Sequence, residues 1–311
     1  MEVINSLSEI DRLSYMTGVS LGSFDGIHQG HLTLINALVE NCRKKNLKSV
    51  IYTFSNHPRG VLNIEDPPKI IINKKQKINL FKQLGIDFLF MVDFDDFQRN
   101  ISAKDFVEKI LLEKLNMYSM TVGEDCRFGK KAEGDIILLE QFSKLYSFNL
   151  TVVPPVKLED KIISSTAIRH FLSQGLIEQA NRFLGRNYSI IGKVIKGKQF
   201  GSKKGFPTAN IAIDFNMSLP KSGIYVSKTK VHNKIHNSIT NVGFNPTFNQ
   251  KNYNIETYIF EFNENIYGEE VEVHFLHRIR GEIKFNTIDD LYAQIDKDVT
   301  YSKEYFKTFE L

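Results

Sequence analysis

The feature that most restricts how this chain can fold is a change of texture near Gly185. Before it, short apolar runs alternate with amphipathic helical patterns: "GVSLG", "KSVIYTF", "IDFLFMVDF", "YSMTVG" and "LTVVPPV" read as strands, and stretches such as "SAKDFVEKILLEKLN" and "EGDIILLEQFSKLYS" return an apolar residue every three or four positions. That alternation predicts a parallel sheet flanked by helices. "SSTAIRHFLSQGLIEQANRFLGRNY" then reads as two short helices broken at Gly175. From about Ser189 the runs "SIIGKVI", "TANIAID", "GIYVSKTKV", "NIETYIFEF" and "EEVEVHFL" follow one another with only turn residues between them. Those predict an antiparallel barrel or sandwich, closed by a helix over "TIDDLYAQIDKDV". The expected fold class is α/β, with a Rossmann-like parallel-sheet domain over 1–185 and an antiparallel β-barrel or sandwich domain over 186–311.

A chain of 311 residues is comfortable for two domains of this kind, each able to bury a core. Its composition, 42% hydrophobic and 24% charged, is that of a globular protein, and no apolar run is long enough to span a bilayer. The start "MEVINSLSEIDRL" lacks the pattern of a secretory signal, so a cytoplasmic location is expected. Cys42 and Cys126 cannot build a disulfide framework and stand in no zinc spacing. The net charge of +4 is spread over dispersed lysines, which suits small anionic molecules at least as well as nucleic acid. The expected partners are small molecules, with no nucleic acid and no membrane, for a monomer or weak homo-oligomer.

Within the first half, "GVSLGSFDGIHQGHLTLI" carries the chemistry. Leu34, Ile35, Leu38, Val39 and Cys42 recur at helical spacing, so His28 and His31 stand where a strand turns into a helix. Unpaired N–H groups and the positive end of the helix dipole make that place an anion site. Gly30 permits close backbone approach, and both imidazoles can donate hydrogen bonds to a phosphoryl group. A metal pair is the weaker reading, because no third ligand stands at a supporting spacing.

These residues carry a resemblance. "GSFDGIHQGH" is similar to the H-x-G-H signature of the nucleotidyltransferase superfamily, and "ISSTAIR" resembles its second signature, in which hydroxyls and an arginine contact the triphosphate. "TFSNHP", "VGEDCRFG" and "EGD" in the first half, and "LGRNY", "GFPTANI", "GIYV", "NVGFNPTF", "IYG" and "KF" in the second, resemble the bacterial bifunctional riboflavin kinase/FAD synthetase family over nearly the whole chain. The resemblance implies an FMN adenylyltransferase over 1–185 and a riboflavin kinase over 186–311, with ATP as co-substrate, riboflavin, FMN and FAD as substrates or products, and Mg²⁺ as cofactor. It implies that Gly22, Ser23, Phe24, Asp25, Gly30, Asn56, His57, Gly123, Asp125, Phe128, Ser164, Ser165 and Thr166 line the adenylyltransferase site. His28, His31 and Arg169 would act on the α-phosphate and the leaving group. Ser165 or Thr166 also reads, more plainly, as a helix N-cap. Asn245, Tyr258, Ala132 and Cys126 depart from residues common in the family.

In the second half, Thr208 and Asn210 lie two apart on an expected strand, so they share a face. A hydroxyl and an amide oxygen on one face suit a nucleotide-borne Mg²⁺, with Pro207 stiffening the approach. Upstream, Gly197, Gly201 and Gly205, with Lys203 among them, suit a loop over phosphates that is not a Walker A motif. In "IETYIFEF" the strand period groups Glu256 with Tyr258, Phe260 and Phe262, and burial beside aromatics would tune Glu256 as a general base. The resemblance points to the same glutamate. The rivals are a kinase whose first domain is weakened and, from another class, a flavin-binding regulator.

Overall fold

The computed structural model describes residues 1–55, 68–196, 207–247 and 250–309, and the chain divides into two compact units, Met1–Ser165 and Thr166–Leu311. Asn56, His57, Gly197, Gly201, Lys203 and Gly205 lie outside the described residues.

In the first unit six strands, β1 (Glu2–Ile4), β2 (Thr17–Leu21), β3 (Lys48–Phe54), β4 (Phe88–Val92), β5 (Met117–Gly123) and β6 (Asn149–Val153), form a sheet in the order β1-β4-β3-β2-β5-β6. All its pairings are parallel. Every residue of β4 and the middle of β3 are buried, as a sheet covered on both faces requires. From β2 the chain builds outward on one side through β3 and β4, then crosses to the other side with β5. The carboxyl end of β2 is therefore the topological switch point, where such sheets bind ligands. The helix Gln29–Lys44 follows β2 and buries Leu34, Ile35, Leu38 and Cys42, the stripe its spacing predicts. The stretch expected as one helix near 102–116 is a short turn, Ala103–Asp105, running into a π-helix, Phe106–Lys114, that closes with Leu115 N–H on Ile110 O. A small hairpin of β7 (Lys157–Leu158) and β8 (Lys161–Ile162) precedes Ser164 and Ser165.

In the second unit the helices Ser165–Gln174 and Ile177–Leu184 are separated by Gly175, whose φ of +74° is a glycine conformation. Strands β9 (Tyr188–Ile195), β10 (Thr208–Ala212), β11 (Gly223–Val231), β12 (Lys234–Thr247), β13 (Gln250–Ile259) and β14 (Glu270–Arg280) close into an antiparallel barrel in the order β10-β13-β12-β11-β14-β9. Its interior mixes Tyr225, Ile255, Val273 and Phe275 with fully buried Ser227, Thr229, Ser238, Thr240 and Thr257. These five hydroxyls satisfy one another across β11, β12 and β13 at 2.7–2.9 Å, which makes their burial affordable.

The closing helix, Ile288–Phe309, is longer than the sequence pattern suggests, because Asp298, Val299, Ser302 and Phe306 extend one buried stripe. Val299 and Phe306 cover Val226, Ile239 and Phe260 on the outside of the barrel. Arg280 of β14 fixes this helix with a bidentate contact to buried Asp298, which also accepts from Gln294. Helix Ile177–Leu184 joins the barrel through Asn181, which donates to Phe275 O at 2.8 Å and accepts from Tyr188 N–H at 2.6 Å. Among the described residues no helix is long and apolar enough to cross a membrane.

Candidate active sites

The turn after β2 runs from Gly22 to His28 and is held in an unusual shape. Phe24 (φ 46°) and Ile27 (φ 40°) adopt left-handed backbone, which side-chain-bearing residues avoid and a branched one most of all. Both are buried, and the Phe24 ring packs edge-on against Phe81 of the helix Lys74–Gln83. Asp25, 5% exposed, accepts the N–H groups of Ile71 (2.9 Å) and Ile72 (3.4 Å), so its carboxylate braces the turn against the chain entering that helix.

His28 is the N-cap of the Gln29–Lys44 helix, and its Nδ1 accepts the His31 N–H at 3.3 Å. An acceptor at Nδ1 puts the proton of a neutral ring on Nε2. The His28 and His31 rings stack with centroids 3.7 Å apart and planes 13° from parallel. At Gly30 a Cβ would lie 3.2 Å from two atoms of the His28 ring.

The second signature reaches the first through Ser165, whose hydroxyl donates to the carbonyl of Asp25 at 2.8 Å. Ser165 opens the helix Ser165–Gln174, Ser164 directly precedes it, and Thr166 and Arg169 lie in its first turns. At the end of β5, Gly123 leaves room for the Asp125 carboxylate, 2.9 Å from where a Cβ would be. Phe128 is a core residue, 7% exposed, with its ring over Gly134 and 6.0 Å from the Phe106 ring. Burial pushes the Cys42 thiol up to about 11 and the Cys126 thiol to about 12, so neither serves as a nucleophile.

In the barrel, strand register assembles the second site. Thr208 stands opposite Tyr258, and Asn210 stands opposite Glu256, between β10 and β13. On the other side of β13, Asn241 of β12 also stands opposite Glu256. Residues directly paired across a ladder share a face, so one polar patch carries Thr208, Asn210, Glu256 and Asn241. Asn254, two residues before Glu256 on the same face, donates its amide hydrogen to Glu256 Oε1 at 2.6 Å. The environment of Glu256 is more polar than expected: the carboxylate is half-buried with amides beside it and Tyr258 next on its face, while Phe260 packs against Phe306 of the closing helix and Phe262 turns to His236. Tyr258 packs on Phe260; the chain leaves the strand after Ile259, and Glu261 (φ 54°) turns it, which takes Phe262 out of the alternation. A cleft of about 220 Å³ at the same end of β10 is lined by Pro207, Thr208, Ala209, Thr257, Ile259 and Tyr267; the paired Ala209 and Thr257 belong to the opposite face of the ladder from Asn210 and Glu256.

Asn241 and Asn254, and Thr257 in the lining of the cleft, carry no signal of a site in the sequence analysis. The two-residue period that placed Glu256 could have found Asn254; Asn241 shows itself only once β12 is paired.

A switch-point turn with stacked histidines at a helix N-terminus, in a chain that also forms a barrel pairing Asn210 with Glu256, fits the class of nucleotide-using transferases. The FAD synthetase family profile matches residues 11–167, and the riboflavin kinase profile matches residues 184–306. The bifunctional riboflavin kinase/FMN adenylyltransferase of Buchnera aphidicola from Schizaphis graminum is 35% identical over 310 residues, covering 98% of this chain and 99% of its own. The enzyme of the same description from Haemophilus influenzae is 34% identical over 99% of this chain and 100% of its own, and that of Bacillus subtilis 35% over 93% and 92%. A crystal structure described as a macrolide-efflux protein from Streptococcus pneumoniae matches with a TM-score of 0.89 at 30% identity, covering 97% of this chain and 98% of that one. The chain belongs to the bifunctional riboflavin kinase/FMN adenylyltransferase family: it phosphorylates riboflavin to FMN with ATP and adenylylates FMN to FAD.

Proposed function

We propose a division of labour within this enzyme, with adenylyl transfer carried by 1–185 and phosphorylation by 186–311. The pairing of Asn210 with Glu256 supports the kinase assignment more than any other observation. In that half Glu256 takes the proton of the riboflavin 5′-hydroxyl as its oxygen attacks the γ-phosphorus, the bond from that phosphorus to the β-phosphate oxygen breaks, and ADP leaves. Asn254 orients the accepting carboxylate, and Pro207, Thr208 and the cleft beside them receive ATP. The Thr208 hydroxyl and Asn210 amide oxygen are hard donors on one face, which fits Mg²⁺ arriving with the nucleotide. Bound there, the ion would neutralise phosphate charge. Gly197, Gly201, Lys203 and Gly205 are assigned to the phosphates on their residue types alone.

In the first half an FMN phosphate oxygen attacks the α-phosphorus of ATP and pyrophosphate leaves, with no covalent enzyme intermediate. His28 donates from Nε2, and His31 from its stacked ring, to charge gathering on the α-phosphate and the leaving group. Ser164, Ser165, Thr166 and Arg169 hold the triphosphate, and Gly22, Ser23, Phe24, Gly123 and Asp125 shape the nucleotide and flavin pocket with Asn56, His57 and Phe128.

The Streptococcus chain's description as an efflux protein does not change this reading, because both transferase signature sets stand on this chain. We also place the enzyme in the cytoplasm, as a monomer or weak homo-oligomer that takes no nucleic acid; buried thiols and dispersed lysines support that. The test is to incubate the protein with riboflavin, ATP and Mg²⁺ and separate FMN from FAD by chromatography. His31→Ala should stop at FMN, and Glu256→Gln should make FAD only from supplied FMN. Loss of FMN formation in His31→Ala, or failure of Glu256→Gln to convert supplied FMN to FAD, would refute the division.

A further inference from the structure

The helix Lys74–Gln83 buries a lysine that the chemistry above does not use. Lys77 is 9% exposed, and its Nζ donates to the Ser23 carbonyl at 2.8 Å and reaches the Phe54 carbonyl at 3.5 Å. Ser23 belongs to the turn after β2, and Phe54 ends β3, so one ammonium ties three segments together at the switch point. The Ser23 carbonyl also accepts from Thr53 Oγ1 at 3.2 Å, so satisfying that oxygen alone would not require a buried charge. The turn it grips is the one with two left-handed, side-chain-bearing residues, and such a backbone persists only when its surroundings over-determine it.

We propose that Lys77 is a positioning residue for adenylyl transfer: its ammonium, by holding Ser23 and the end of β3, fixes the turn that aims His28 and His31. This rests on the reading of those histidines as the groups that act on the α-phosphate. Burial pulls the Lys77 ammonium down to about 8, with the Asp25 carboxylate opposing that fall. On the adjoining segments Asp93 accepts from Ser55, next to Phe54, and Lys74, on the same helix, donates to Asn5. The grip should therefore loosen in mildly alkaline solution.

The experiment measures the rate of FAD formation from saturating FMN and ATP against pH, for the wild type, Lys77→Arg and Lys77→Met, with FMN formation by the same preparations as the internal control. The wild-type rate should fall above about pH 8. Lys77→Arg, whose charge persists, should stay within severalfold at neutral pH and lose that alkaline fall. Lys77→Met should form FAD at least tenfold more slowly at neutral pH, without the alkaline fall and with FMN formation intact. An alkaline fall that persists in Lys77→Arg, or wild-type FAD formation by Lys77→Met, overturns the proposal. If Lys77→Met also loses FMN formation through misfolding, the comparison of wild type with Lys77→Arg decides alone. Full FAD formation by His31→Ala would instead refute the histidine reading, which the Lys77 profiles do not measure.

Discussion

Asn210 and Glu256 face each other directly across the β10–β13 ladder, and the same register sets Thr208 opposite Tyr258. If Glu256 is the base and Asn210 an oxygen ligand, as proposed, backbone pairing already holds the two together. They should nevertheless fail differently when changed. Glu256→Gln keeps size and hydrogen bonding but loses the basic oxygen, so turnover in FMN formation should fall by about a hundredfold or more, with ATP affinity changed little. Asn210→Ala should raise the KM for ATP and lower kcat together. Steady-state kinetics at varied ATP and Mg²⁺, with calorimetric ATP binding, separates the two. Loss of metal-dependent ATP binding in Glu256→Gln at an unchanged saturated rate would make Glu256 a ligand instead.

Gly30 gives an equally local prediction in the other half. A methyl group 3.2 Å from the His28 ring pushes that ring by a few tenths of an ångström against its stack with His31 and its cap on the His31 N–H. Gly30→Ala should lower FAD formation by at least tenfold and leave FMN formation unchanged. Losing the cap should cost only about 1 kcal/mol of stability, so the melting temperature should move little. Wild-type FAD formation by this variant would show that the stacked geometry is not needed.

The point at which the chain can be cut tests the division of labour. A fragment starting just before Leu184 discards Ile177, Ala180 and Phe183, all buried, and both hydrogen bonds of Asn181. Losing the burial of Ile177 and Phe183 alone should cost roughly 3–6 kcal/mol. A fragment starting at Thr166 should therefore unfold cooperatively and phosphorylate riboflavin, and the shorter one should be much less stable. Urea unfolding and riboflavin turnover of both fragments decide it; equal stability would mean that the helix Ile177–Leu184 contributes nothing to the barrel.

Much of this was legible in the sequence, for identifiable reasons. β3 and β11 match the runs "KSVIYTF" and "GIYVSKTKV" residue for residue, because buried and paired strands leave clean apolar or alternating patterns. β12 was not legible as a strand: its inward positions include Ser238 and Thr240, polar residues whose burial makes sense only beside the hydroxyls of Ser227 and Thr257. β1 is three residues long and is defined by its pairing with β4. At the sites, residue types were readable but neighbours were not. The spacing grouped Glu256 with aromatics, and the register surrounded it with asparagines. Lys77 did leave a trace, since it falls between Gln76 and Ile78 and four residues before Phe81, on a helix face that should be apolar.

That lysine also links function to stability with opposite signs. Below about pH 8 Lys77 is protonated in the folded and unfolded chains alike, and its burial penalty is fully present. Between about pH 8 and the ordinary lysine value of 10.5, the unfolded chain binds a proton that the folded chain has lost. The Lys77 contribution to stability therefore rises with pH across that window, by roughly 3 kcal/mol in all. Adenylyl transfer should fall over the same window, as the grip on Ser23 weakens. Measuring the wild type against Lys77→Met at matched pH cancels every other titrating group that the substitution leaves undisturbed. Whatever advantage Lys77→Met holds in urea unfolding at neutral pH should shrink by about that amount as pH rises through the window. A stability difference that stays constant from pH 8 to 10.5 would show that Lys77 keeps its proton, and would remove the physical basis for the alkaline fall in FAD formation.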